Sequence, residues 1–289
     1  MMKPAVLLLL ILAASLGVLP LSAGSRAAGQ GKKAEIVYVE WASAAATSHV
    51  VKAVLEEKMG YECSLKPVSA PALWQTTASG NTDGFVCAWL PSLHRTYYAK
   101  AGENVNDLGP NLEGTKVGLV VPQYVEIDSI EQLSSHAENF DSKIIGIDPG
   151  AGIMLAAKDA IEAYGLEDME LVPGSGAAMT AVLENMINKK QWVVVTGWTP
   201  HWKFARWDLK YLEDPKDVFG GSEAIHTVVK KNLEDEQPEL YEFLDNFSWE
   251  IEDINQVMGM IQQSGKPYES AVEWINENPE KVESWLPGK

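Results

Sequence analysis

The chain has 289 residues, 40 acidic against 23 basic side chains, two cysteines and ten tryptophans. A formal charge of −17 excludes a nucleic-acid partner and docking on anionic lipid, since both need a basic face. With 46% hydrophobic and 22% charged residues, this is a globular sequence, long enough for one large or two modest domains.

The N-terminus reads as an export signal. Lys3 supplies a positive start, Ala5 to Leu19 is almost unbroken apolar sequence, and the small residues Ser22-Ala23-Gly24 and Ala27-Ala28 follow. The apolar stretch is short for a bilayer span. Cleavage is expected near residues 23–28, with no cysteine there to carry a lipid anchor. Removing residues 1–28 takes away Lys3 and Arg26 and no acid, so −17 becomes about −19. The mature protein is expected outside the cytoplasm, in the periplasm. That compartment permits disulfides. Cys63 and Cys87 pair only if no third strand separates theirs; otherwise both are buried thiols.

Strands alternate with helices from there on. Ile36–Val39 is a β-branched and aromatic strand, and Ala44–Met59 a helix with Val50, Val51, Val54 and Leu55 at helical spacing. Cys63–Val68 is a strand, Pro71–Ala78 a helix ended by Gly80, Phe85–Ala88 a strand and Lys116–Val121 a further strand. After a short helix at Ile130–Leu133, a second series begins with the strand Ile144–Ile147. It continues through the helix Met154–Tyr164, the strand Glu170–Val172, the helix Ala177–Asn188 and the strand Trp192–Thr196. Ile225–Val229 reads as a returning strand, and the tail from Leu240 as helical. The pattern is α/β, with mainly parallel, helix-covered sheets in two lobes and a ligand cleft between them. One lobe is expected to hold residues 34–119 plus 224–289, and the other residues 120–223.

Three strands close on tryptophan: Val39-Glu40-Trp41, Cys87-Ala88-Trp89 and Thr196-Gly197-Trp198. In open α/β sheets ligands bind outside the carboxyl ends of strands. A lone tryptophan at a strand end usually packs. Three at equivalent ends, two of them before Leu90-Pro91 and Thr199-Pro200 turns, favour a cage for a soft cation such as a quaternary ammonium group. The other seven read as core or lobe packing.

An anion site is expected opposite. Gly146–Ile153 runs from a strand through a glycine-rich turn into a helix, whose free N–H groups suit a carboxylate or phosphate. It is neither a P-loop nor the full dinucleotide fingerprint. An ordinary strand–helix turn would read the same way. His94, five residues after Trp89, is placed to donate to the same anion, although a lone histidine is more often structural. Cage and helix start together describe a zwitterion site.

These segments resemble the substrate-binding proteins of glycine betaine/proline betaine ABC transporters. The resemblance is carried by Val39-Glu40-Trp41, by Ala88-Trp89-Leu90-Pro91 with His94, by Gly118–Pro122 and by Gly146–Gly150. Ala177–Thr180, Leu209–Lys216 and above all Thr196-Gly197-Trp198-Thr199-Pro200-His201-Trp202 carry it too. It implies a two-lobed fold closing on its ligand, a cage of Trp41, Trp89 and Trp198, and a carboxylate held by His94 and the N–H groups of Gly152 and Ile153. It further implies a monomer that delivers glycine betaine or a close analogue to a membrane permease, with no cofactor and no metal. Ala42 stands where the family pattern has an acidic residue, and Leu93 where it has threonine. Within this class the alternative ligands are choline, carnitine or a sulfonium analogue such as dimethylsulfoniopropionate. An exported enzyme on a small polar metabolite is the alternative of another class, with His94, His201, His226 and Asp148 as candidates. No nucleophile elbow, His-Glu-x-x-His motif or base-paired cysteine supports it, so a non-enzyme is expected.

Overall fold

The computed structural model describes residues 31–288; the predicted export signal, residues 1–28, lies outside them. In chain order, β1 (Lys33–Tyr38), α1 (Ala42–Glu57), β2 (Glu62–Pro67), α2 (Ala70–Ala78), β3 (Gly84–Leu90) and α3 (Arg95–Ala101) come first. The long β4 (Val105–Pro122) leads through two 3-10 turns to β5 (Lys143–Ile145), α4 (Gly152–Tyr164), β6 (Glu170–Val172) and α5 (Gly176–Asn188). Then come β7 (Val194–Thr199), α6 (Lys203–Arg206), β8 (Leu209–Tyr211) and β9 (Glu223–Lys230). Five helices finish the chain: α7 (Leu233–Glu236), α8 (Pro238–Asn246), α9 (Ile251–Ser264), α10 (Pro267–Glu277) and α11 (Pro279–Trp285).

The strands join in the order β2-β1-β3-β9-β4-β7-β5-β6, with β8 on β4. Pairing is parallel where βαβ units build the sheet, in β1 with β2 and β3, and in β5 with β6 and β7. It is antiparallel where β9 and β4 thread the middle. The predicted return at Ile225–Val229 is this β9, lying between β3 and β4.

β4 is longer than its sequence signal. Lys116–Val121 reads as a strand, but the pairing begins at Val105. Pro110, Gly109 and Gly114 hide the earlier part, because proline and glycine weaken a strand pattern. They sit at register shifts against β9, and Gly109 and Gly114 take positive φ of 96° and 75°. Such bulges bend a strand without ending it. β4 thereby serves both parts of the two-lobed molecule. Its first part pairs with β9 up to Thr115 opposite Glu223, and its last part pairs with β7 and β8 from Lys116.

α1 shows how the helices are held. Its Val50, Val51, Val54 and Leu55 are fully buried at helical spacing. Burying each such side chain contributes about 1.5–3 kcal/mol before entropy is charged. Cys63 on β2 and Cys87 on β3 are separated by β1, so the third-strand condition is met and both thiols are free. Burial pushes each thiol up to about 12, which leaves them unreactive.

Candidate functional site

The three tryptophans meet in one cavity. Trp41 follows β1 as the residue before α1, Trp89 is the penultimate residue of β3, and Trp198 is the penultimate residue of β7. Trp41 is 5% exposed, and Trp89 and Trp198 4% each. They line the cavity together with Leu93, His94, Val117, Ile147, Ala151, Gly152 and Ile153. The space left between these walls is small. All six residues singled out from sequence lie on this one surface.

The cavity is chemically two-sided. One side is indole. An indole face attracts a cation, more strongly where water is excluded, by about 2 kcal/mol or more. The other side is the start of α4. Gly152 and Ile153 are its first two residues, so their N–H groups have no intrahelical acceptor, and the helix dipole places partial positive charge there. Gly152 is also forced by space. A Cβ there would lie 2.5 Å from the Leu93 carbonyl oxygen and 2.7 Å from the Leu93 Cβ. The glycine lets α4 begin directly against the turn that carries His94.

That turn is itself fixed. Glu223 at the start of β9 is buried and accepts from the backbone N–H of Ser92 at 2.8 Å and of Leu93 at 3.4 Å. His94 is buried, and burial pushes its imidazole down to about 3, so the ring is neutral at physiological pH. Its Nδ1 accepts from the backbone N–H of Trp89 at 3.1 Å and from the Trp74 indole N–H at 3.4 Å. An Nδ1 holding two donors is the unprotonated nitrogen, so the proton sits on Nε2. His94 is thus a fixed neutral donor beside the free N–H groups of α4.

Sequence reasoning assigned Trp74 to packing, but it also sets the His94 tautomer. Nothing in the spacing of α2 links Trp74 to His94; only the folded contact does. Asp148, a sequence candidate only for the enzyme alternative, accepts from the Trp41 indole N–H at 2.8 Å on Oδ2. Tyr97 was missed; its hydroxyl donates to the Gly150 carbonyl at 2.8 Å. Both bonds tie the Trp41/Trp89 side to the loop leading into α4. Of the other sequence candidates, His201 lies edge-on to Trp198 with ring centroids 4.7 Å apart, outside the cavity wall. His226 pairs with Asp107 at 2.9 Å, also outside the wall. Ala42, too, lies outside the cavity lining, whereas Leu93 is part of it. Among the described residues no group of histidine, cysteine and carboxylate side chains is placed to hold a metal ion.

Residues 32–277 match the family described as the substrate binding domain of ABC-type glycine betaine transport system. The chain belongs to this family. It is 48% identical over 153 residues to the glycine betaine/carnitine transport binding protein GbuC of Listeria monocytogenes, a match covering 52% of this chain and 51% of that protein. The match therefore spans about half the length of that curated relative. Lactococcal OpuAC, solved in a closed-liganded conformation with glycine betaine, is 43% identical with a TM-score of 0.85, covering 88% of this chain and 99% of that one. The glycine betaine/L-proline-binding protein ProX of Borrelia burgdorferi is 40% identical with a TM-score of 0.86, covering 89% and 97%. The two-lobed binding-protein fold expected from sequence is the fold these structures share.

Proposed function

We propose that this protein binds glycine betaine, or a close analogue, between its lobes and presents it to the permease of an ABC transporter. The observation that carries this reading is the two-sided cavity. Trp41, Trp89 and Trp198 supply aromatic faces for a trimethylammonium group, which has methyls and no donors to satisfy. In the same cavity, His94 Nε2–H and the N–H groups of Gly152 and Ile153 supply donors for a carboxylate. These groups bind and orient; none is a nucleophile placed beside a base, so the protein acts without catalysis. The lobes are assigned as residues 34–119 plus 224–289 and residues 120–223. The crossings of the chain near Thr115 and Glu223 support that division. The acid-rich mature chain works in the periplasm as a monomer after loss of its export signal.

Closure is the mechanism by which such a site holds a ligand. The open and closed forms interconvert, and the ligand favours the closed form because only there do cage and helix start face each other. Trp198→Ala opens the cage and is expected to weaken glycine betaine binding by about 2–4 kcal/mol. Isothermal titration calorimetry checks this, and unchanged affinity would refute the cage. Choline, which keeps the cation and lacks the carboxylate, is expected to bind more weakly. Equal affinity for choline would remove His94, Gly152 and Ile153 from the site.

A further inference from the structure

Behind the cage lies a charged group that the binding reading does not use. Lys203, the first residue of α6, is fully buried. Its Nζ has no hydrogen-bond partner and lies over the Trp198 ring, 4.3 Å from the centroid. Lys203 contributes nothing to the cavity wall. The indole that presents one face to the cavity therefore carries an amine on its rear. Among the described residues, the only other ring over which Nζ lies is that of Phe204, at 5.3 Å, which supplies no counter-charge.

A buried, unpaired lysine is costly as an ammonium ion, and proteins usually resolve the cost by releasing the proton. We propose that Lys203 tunes the cation cage: as a neutral amine it leaves Trp198 free to hold the ligand's quaternary ammonium, and as an ammonium it weakens that hold, so ligand affinity rises with pH. The physical reason is twofold. One indole has one π quadrupole, and a cation on its rear face already draws on it. Two cations on opposite faces of one desolvated ring also repel, where solvent screening is weak. This inference rests on the cage reading and specifies how the cage is regulated.

The surroundings leave Lys203 as the group that titrates. His201 lies two residues earlier in the chain; its Nδ1 accepts from the Lys203 backbone N–H at 3.1 Å, and burial, with Lys203 adding to it, pushes its imidazole well below the usual range. Tyr211 on β8, stacked on Phe204, is pushed up by burial and stays neutral. Lys116 on β4 caps the outer side of Tyr211 at 4.4 Å. Arg206 at the end of α6 pairs with Glu184 of α5 at the exposed rim. None of these places a carboxylate on Lys203. Burial pushes its ammonium down to about 7, while His94 at about 3 does not titrate near neutrality. The sign follows from linkage. A ligand that prefers the neutral amine displaces a proton on binding, so affinity is lowest below the Lys203 titration and highest above it.

The test is calorimetric titration of glycine betaine into the wild-type protein and Lys203→Met from about pH 5.5 to about pH 8.5. Methionine keeps the length and packing of the side chain without the amine. Wild-type affinity is expected to rise roughly five- to thirtyfold across this range, and that of Lys203→Met to stay flat. The wild type is also expected to release protons on binding near about pH 6.5, read from binding heats in two buffers of different ionisation enthalpy. That second measurement decides the matter if Lys203→Met fails to fold. A flat wild-type profile, no proton release, or a slope that survives in Lys203→Met overturns the role of Lys203 while leaving the cage intact. Absence of glycine betaine binding by either protein at every pH overturns the cage reading, and this inference with it.

Discussion

On the proposed reading His94 reaches the ligand through Nε2, and two donors on Nδ1 determine that it does so as a donor. One of those donors is backbone and cannot be removed by substitution; the other is the Trp74 indole. Trp74→Phe keeps most of the packing against Phe85, whose ring centroid lies 5.0 Å away, and deletes the N–H. The imidazole then has one partner fewer holding its tautomer. Glycine betaine affinity is expected to fall about threefold to tenfold, the scale of one hydrogen bond, while choline affinity barely moves. An equal loss for both ligands would show that Trp74 only packs. His94→Ala carries the same contrast further, with a loss of about 2 kcal/mol for glycine betaine. Sequence made His94 legible through its place after Trp89, but not Trp74, because a helix-to-turn contact across twenty residues leaves no local periodicity.

The elements put those residues in place, and the start of α4 is the tightest fit. A side chain at Gly152 would meet the Leu93 backbone, yet Leu93 and Gly152 belong to different proposed lobes. The conflict therefore exists when the lobes are closed and is relieved when they part. Gly152→Ala is expected to leave the melting temperature of the ligand-free protein nearly unchanged and to weaken glycine betaine binding more than tenfold. Thermal melts followed by circular dichroism, together with calorimetry, separate the two effects. A large loss of stability without ligand would place the conflict in the resting fold. The glycine-rich turn read as a candidate anion site from its run of Gly146, Gly150 and Gly152, but the packing reason for each glycine was not legible. Gly146 packs against Met154, where a Cβ would lie 2.3 Å from the sulfur, whereas Gly150 faces Pro71, at 2.9 Å from such a Cβ, and Gly152 faces Leu93. The helical and β-strand periodicities gave the βαβ units on both sides. They missed the first half of β4, since bulges at Gly109 and Gly114 break the alternation on which the reading depends.

At the scale of the whole molecule, the proposed binding is closure of the lobes, and closure has contacts of its own. The Trp41 indole N–H on Asp148 and the Tyr97 hydroxyl on the Gly150 carbonyl span the proposed lobes. Neither Asp148 nor Tyr97 lines the cavity. Bonds of this kind contribute nothing to recognition of the ligand's chemistry, yet they stabilise the only state in which the ligand is enclosed. Their loss therefore lowers the population of the closed form and is felt equally by every ligand that needs it. Tyr97→Phe removes one such bond with little change of shape, and Asp148→Ala removes the other. Each is expected to weaken glycine betaine and choline by the same factor, about threefold to tenfold, mostly through faster release. The double variant is expected to depart from the product of the two factors, because both bonds end on the one loop leading into α4, at Asp148 and the Gly150 carbonyl, and neighbouring sites couple. Stopped-flow fluorescence of the cage tryptophans reads the release rate directly. If Tyr97→Phe discriminated between the two ligands as His94→Ala does, Tyr97 would belong to the recognition surface, and closure would rest on the ligand alone.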